Sequence, residues 1–150
     1  MKRKLTVGVV AATAVVGLLA IPMSASAHTV LTAHATGGQV VNPAGGDPKG
    51  SATFVLQVNR VKGRICFHIT FTGIKDVTSA NLHKGGAGQI ARPIVNFFDT
   101  GRADSPEKGC VRNVKSRIVK RLKRKPSQHY VDIDSQDRPN GAVRGQLVRQ

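Results

Sequence analysis

The stretch His129-Tyr-Val-Asp-Ile-Asp-Ser-Gln-Asp-Arg-Pro-Asn-Gly-Ala-Val-Arg-Gly-Gln-Leu-Val148 decides the fold. In its first half Val131 and Ile133 alternate with polar residues, in its second half Val143, Gly145 and Leu147 do the same, and Ser135 to Gly141 between them gathers nearly every turn-forming residue type. It reads as a closing β-hairpin. The apolar face needs a second sheet to cover it. The other face points outward to solvent and carries Asp132 and Asp134 opposite Arg144 and Gln146, so the upstream chain has to supply more strands of the same kind.

It supplies them. Thr29 to Thr36 reads as a first strand, with a sheet edge as one place for it, and Gly37 to Gly50 is loop chemistry. Ser51 to Val58 sets Ala52, Phe54, Leu56 and Val58 on one face, and after a turn over Asn59 to Gly63, Arg64 to Thr72 repeats the pattern with Ile65, Phe67, Ile69 and Phe71. Cys66 and His68 then lie on the opposite face. Val77 to His83 and Pro93 to Phe98 are shorter strands on either side of a mobile-looking loop, Lys84 to Gln89. That loop is no phosphate cradle, because its Lys precedes the glycines and no Ser or Thr follows. Asp99 to Gly109 reads as a further loop, delivering Cys110.

Ahead of the strands, Lys2, Arg3 and Lys4 precede an uncharged run from Leu5 to Ile21, Pro22 breaks it, and Ala25-Ser26-Ala27 offers small residues for cleavage. Residues 1–27 are therefore expected to be a signal peptide and 28–150 one exported domain, beginning at His28. The rival reading is an uncleaved anchor, given the length of the run. No second apolar run follows, so no transmembrane segment is expected after cleavage, and the product is secreted or held at the cell surface. Without Lys2, Arg3 and Lys4 the chain keeps twenty Lys and Arg against eight Asp and Glu, a net charge of +12. Such a charge favours anionic partners and says nothing about fold. The two cysteines, Cys66 and Cys110, read as one disulfide in an exported chain, rather than as a metal pair or a reactive thiol.

Cys110 to Lys125 breaks the strand rhythm. Val111, Val114, Ile118 and Leu122 recur at spacings of three and four, Val119 widens the stripe, and Pro126 ends it, which predicts a short amphipathic helix before the C-terminal hairpin. Its remaining residues include Arg112, Lys115, Arg117, Lys120, Arg121, Lys123, Arg124 and Lys125 with no acidic residue among them. A solvated face is the ordinary meaning of such a run. Eight unbalanced charges exceed what solubility needs, so these residues are candidates for binding anions.

These pieces together resemble a chordin-type (CHRD) domain of the short secreted bacterial kind. The resemblance runs from about Leu31 to Val148 and is carried by Gly46-Asp-Pro-Lys-Gly50, Ile65-Cys66, Leu82-His-Lys-Gly-Gly-Ala-Gly88, Gly109-Cys110, Pro126-Ser-Gln-His-Tyr-Val131 and Gly141-Ala-Val-Arg-Gly-Gln-Leu147. It implies an all-β fold, an antiparallel β-sandwich or barrel, in line with the seven or so strands read above and their one short helix. It also places the family's cysteine pair on Cys66 and Cys110. Where the family commonly has His-x-His this chain has Asn81-Leu82-His83, and where it commonly has Val-Asn-Val-His this chain has Val131-Asp132-Ile133-Asp134.

No nucleophile motif and no His-Glu-x-x-His are present, and no catalytic residue is expected. The resemblance would bring His83 and Asp134 together near one end of the fold, with Asn81, Asp132 and His68 as neighbours. With His28 as a new amino terminus able to chelate through its amine and imidazole, His28, His83 and Asp134 form a candidate copper or zinc set. The favoured expectation is a non-enzymatic binding or structural module with no cofactor. Its partners would be anionic envelope polymers, lipid headgroups or extracellular DNA, bound without sequence specificity, and the alternative is a secreted copper or zinc binding protein.

Overall fold

The alternating segments join into one antiparallel sheet. A computed structural model describes residues 28–150; the apolar run and the cleavage expected after Ala27 lie outside the described residues. The strands are β1 (His28–Thr36), β2 (Ser51–Asn59), β3 (Arg64–Thr72), β4 (Val77–Lys84), β5 (Pro93–Asp99), β6 (Glu107–Val111), β7 (His129–Ser135), β8 (Val143–Gln146) and β9 (Val148–Arg149), with one α-helix, α1 (Ser116–Arg124). Their order across the sheet is β5-β4-β7-β8-β1-β2-β3-β6, and β9 pairs with β1. The end strands β5 and β6 touch without pairing, so the sheet rolls into a nearly closed barrel.

The interior of that barrel is the face the alternation assigns. Ala52, Phe54, Leu56 and Val58 of β2 and Ile65, Phe67 and Ile69 of β3 are buried, while Phe71 is only partly so. Each large apolar side chain removed from water in this way contributes roughly 1.5–3 kcal/mol. Phe97 of β5 closes the seam from the far edge, its ring centroid 5.3 Å from that of Phe67 and 6.3 Å from that of Phe54. The hairpin that decides the fold pairs Asp132 with Arg144 and Tyr130 with Gln146, and puts Val131, Ile133, Val143 and Leu147 inside.

Four expectations need correction. β1 is no edge strand: it lies between β2 and β8, because its far side pairs with both β8 and β9. Glu107–Val111 is a strand rather than loop and helix, since the open edge of β3 offers backbone partners and Cys66 faces Cys110 across them. The helix is therefore shorter than the stripe suggests. Asn113 at φ 57° and Lys115 at φ −51°, ψ 130°, both outside the helical region, separate strand from helix, so Val111 reaches the core from a strand and Val114 from the link, leaving Val119 and Leu122 as the buried helical residues. Third, Asp132 and Arg144 do not face water. They are 9% and 5% exposed, covered by the segment that follows β4.

That covering segment is also not the mobile loop its glycines suggest. Arg144 donates from Nη1 to the Gln89 carbonyl at 2.7 Å and from Nη2 to that of Gly86 at 3.0 Å. Gln146 Nε2 donates to the Gly85 carbonyl at 2.7 Å, and the Gly85 amide donates to the Gln128 carbonyl at 2.8 Å. Backbone carbonyls buried against a sheet need donors, and this loop finds them in two side chains of β8.

Candidate functional site

β4 and β7 run side by side in a register that sets Ser79 across from Asp134, Asn81 across from Asp132 and His83 across from Tyr130. These side chains lie on the face opposite the core. Loop residues Val40 to Asn42, the segment Ile90 to Arg92 and the hairpin turn at Pro139 to Gly141 wall them into a cavity of about 550 Å³. Inside it the Tyr130 ring is held on both sides: His83 stacks on one face with centroids 4.5 Å apart and planes 5° apart, and the Arg144 guanidinium lies 3.5 Å from the ring centroid.

The polar groups are tightly engaged. His83 Nδ1 donates to the Ala91 carbonyl at 2.8 Å, which leaves Nε2, 2.9 Å from Asp132 Oδ2, to carry a second proton if the pair is to attract. Burial favours the neutral imidazole, yet the Asp132 carboxylate, the Ala91 carbonyl and the charge of Asp134 outweigh it and hold His83 above the ordinary histidine value. Asp134 Oδ2 accepts from Ser79 Oγ at 2.8 Å and from Asn81 Nδ2 at 3.0 Å. Burial and the neighbouring Asp132 charge nonetheless raise its carboxyl to about 6.

Both shifts act on stability in one direction. A carboxyl that holds its proton more tightly when folded stabilises the protein below its unfolded value of about 4 and loses that contribution as pH rises towards 6. His83, also raised, contributes below its ordinary value and loses that contribution as pH rises through its folded value. Asp134→Asn removes the first effect without changing shape much. Thermal melts should therefore show the variant more stable than the parent near neutral pH and without that advantage near pH 4; an equal difference at both would contradict the linkage.

His83, Asp134, Asn81 and Asp132 are thus brought together, as the resemblance implies. His68 and His28 are not. His68 is exposed on β3, opposite Lys108 of β6. His28 pairs with Asn59 at one end of β1, and the other end, Thr36, is the one that pairs with Arg144, so about 27 Å of strand separates His28 from the cavity side. Among the described residues no group of three or more His, Cys, Asp or Glu side chains is arranged to hold a metal ion. Tyr130 and Arg144 escaped the sequence reading as site residues, although the Asp132 to Arg144 pairing pointed at one of them.

The second charged region surrounds α1. Arg117, Lys120, Arg121 and Arg124 are exposed on the helix and Lys123 is half-buried, while Arg112, Lys115 and Lys125 are exposed in the segments that flank it. Among the described residues the one ion pair is His83 with Asp132, so none of these eight cations has a carboxylate partner within ion-pair distance. Helix polarity accounts for part of the pattern, because Arg121, Lys123 and Arg124 occupy the last turn, where cations are favoured. Lys84 of β4 joins Arg117 and Arg121 around a hollow of about 190 Å³ whose wall includes His129. His129 is 2% exposed and donates from Nδ1 to the Lys125 carbonyl, and its buried Nε2 has no partner. Burial, then Arg121 and Lys84, keep its ring below the ordinary histidine value. A groove of about 400 Å³ lined by Arg112, Lys115 and Arg117 follows the seam between β5 and the β6 to α1 link. Cys66 and Cys110 form a disulfide across β3 and β6.

A family model described as the CHRD domain matches residues 31–147. No curated protein and no solved structure matches.

Proposed function

We propose, from the premise that this chain belongs to the CHRD-domain family, that it is an exported module which holds phosphate-rich polyanions on the basic face around α1. The family is one of non-catalytic modules and supports a binding or structural role. What supports the finer reading is one observation: eight cations around a helix anchored by Val119 and Leu122 lack carboxylate partners, and three of the chain's cations converge on the hollow beside His129. Carried on an anchored helix and unneutralised, they concentrate positive charge on one face of the fold. Without aromatic residues interleaved for stacking, such a face pairs with phosphates by charge and ignores base sequence.

Replacing Lys120, Arg121, Lys123 and Arg124 together by Gln tests it. Gln keeps helix propensity, and losing the last-turn cations costs only about 0.3–1 kcal/mol each. The folded variant should leave heparin and vesicles containing anionic phospholipid at far lower salt than the parent. Equal retention would reduce the helix to a solvated face.

A further inference from the structure

Hydrogen-bond accounting inside the cavity beside β7 leaves an imbalance. Its inner donors are spent: the two Arg144 Nη groups on loop carbonyls, the Tyr130 hydroxyl on the Ala91 carbonyl, His83 Nδ1 on the same carbonyl with its Nε2 turned to Asp132 Oδ2 at 2.9 Å, Asn42 Nδ2 on the Asn140 carbonyl, and Asn81 Nδ2 on Asp134. Its acceptors are not. Asp132 Oδ1 and Asn42 Oδ1 are buried with no partner, and Asp134 receives both its donors at Oδ2, leaving Oδ1 over. Buried acceptors without donors are rare in folded proteins because each costs its desolvation free energy.

The mouth of the cavity has a different chemistry. Val41 and Ile90, two of the four large aliphatic residues exposed among the described residues, both line it, and Ile90 is 69% exposed. Val40, Pro93 and Pro139 extend the apolar rim. Arg92 at that rim is the one lining cation that makes no side-chain hydrogen bond among the described residues, and it is exposed to solvent.

We propose that this cavity binds a small organic cation, a primary ammonium group on an apolar body, with the ammonium among Asp132, Asp134 and Asn42 and the body against Val40, Val41 and Ile90. An ammonium brings three donors and no acceptor, the complement of what the walls lack. A carboxylate or phosphate would find the inner donors already taken, with only Arg92 at the solvent-exposed rim left to it. The volume suits a ligand of drug-like size, and the combination of an apolar mouth with a few convergent polar groups is the usual form of such sites.

The experiment is calorimetric titration of the purified exported protein with hexylammonium chloride, sodium hexanoate, hexanol and zinc chloride. Saturable binding of hexylammonium and not of hexanoate or hexanol is expected, weakened at least about tenfold by Asp134→Asn through loss of a charge-assisted contact. Ile90→Ser, at an exposed position that leaves the core alone, should also weaken it and serves if the first variant fails to fold. The variant with four Gln on α1 should bind hexylammonium as the parent does, which separates this site from the basic face. Equal binding of hexanol or hexanoate, an Asp134→Asn or Ile90→Ser variant as tight as the parent, or zinc displacing hexylammonium would overturn the proposal, the last by assigning the site to an inorganic cation.

Discussion

Replacing Cys66 and Cys110 together by alanine is expected to lower the stability of the folded chain by about 4 kcal/mol, the value for releasing a loop of this size in the chain-entropy account. The bridge joins β3 to β6, and β6 has little else to hold it. None of its five residues is fully buried and only Val111 packs against the core, so its attachment rests mainly on the backbone ladder to β3 and on the disulfide. The loss should appear as a lower urea midpoint for the double variant and as faster amide exchange in β6 before the rest of the sheet opens. Because β6 leads directly into the Arg112 to Lys115 link, part of the basic face should loosen with it. A stability loss under about 1 kcal/mol would mean that the ladder alone secures the strand.

Gly145→Ala is the second large effect. Along β8 and one residue past its end the apolar alternation runs Val143, Gly145, Leu147, and a methyl group at the middle position would stand 2.7 Å from the His34 carbonyl oxygen and 2.9 Å from Ala35 Cα. Both are backbone atoms of β1, which a rotamer change cannot move. The absence of a side chain lets β8 lie against β1 and so joins the C-terminal hairpin to the rest of the barrel. Overpacking of this sort costs about 3 kcal/mol, or roughly 10 °C of melting temperature for a domain of this length. Gly38→Ala is the control. A Cβ there meets nothing within 4 Å, so its effect should stay within about 0.5 kcal/mol. Similar losses in the two variants would dispose of the close-approach argument.

Strands β2 and β3 were legible because each buries one face only, which writes a two-residue period into Ala52 to Val58 and Ile65 to Ile69. β7 was legible as a strand but not as a site. Its outer residues are buried by a loop held through backbone carbonyls, and carbonyl acceptors leave no mark on the sequence. Spacing misled at Val111 and Val114, where a strand and a link put side chains on the core at an interval that imitates a helical turn. The candidate set of His28, His83 and Asp134 depended on strand order, which one chain's residues do not reveal: His28 starts the strand whose other end approaches the cavity. The resemblance supplied what periodicity could not, the juxtaposition of His83 with Asp134.

The basic face is the central claim, and the salt dependence of its affinity tests it most directly. Binding of the parent and of the Lys120, Arg121, Lys123 and Arg124 to Gln variant to short double-stranded DNA of two unrelated sequences should be followed across a range of salt concentrations. Charge pairing with phosphates predicts a linear fall of log affinity with log salt, the same for both sequences, and a slope shallower by about 3 to 4 in the variant if all four cations contact phosphate. An unchanged slope, or affinity that depends on which sequence is used, would contradict the account.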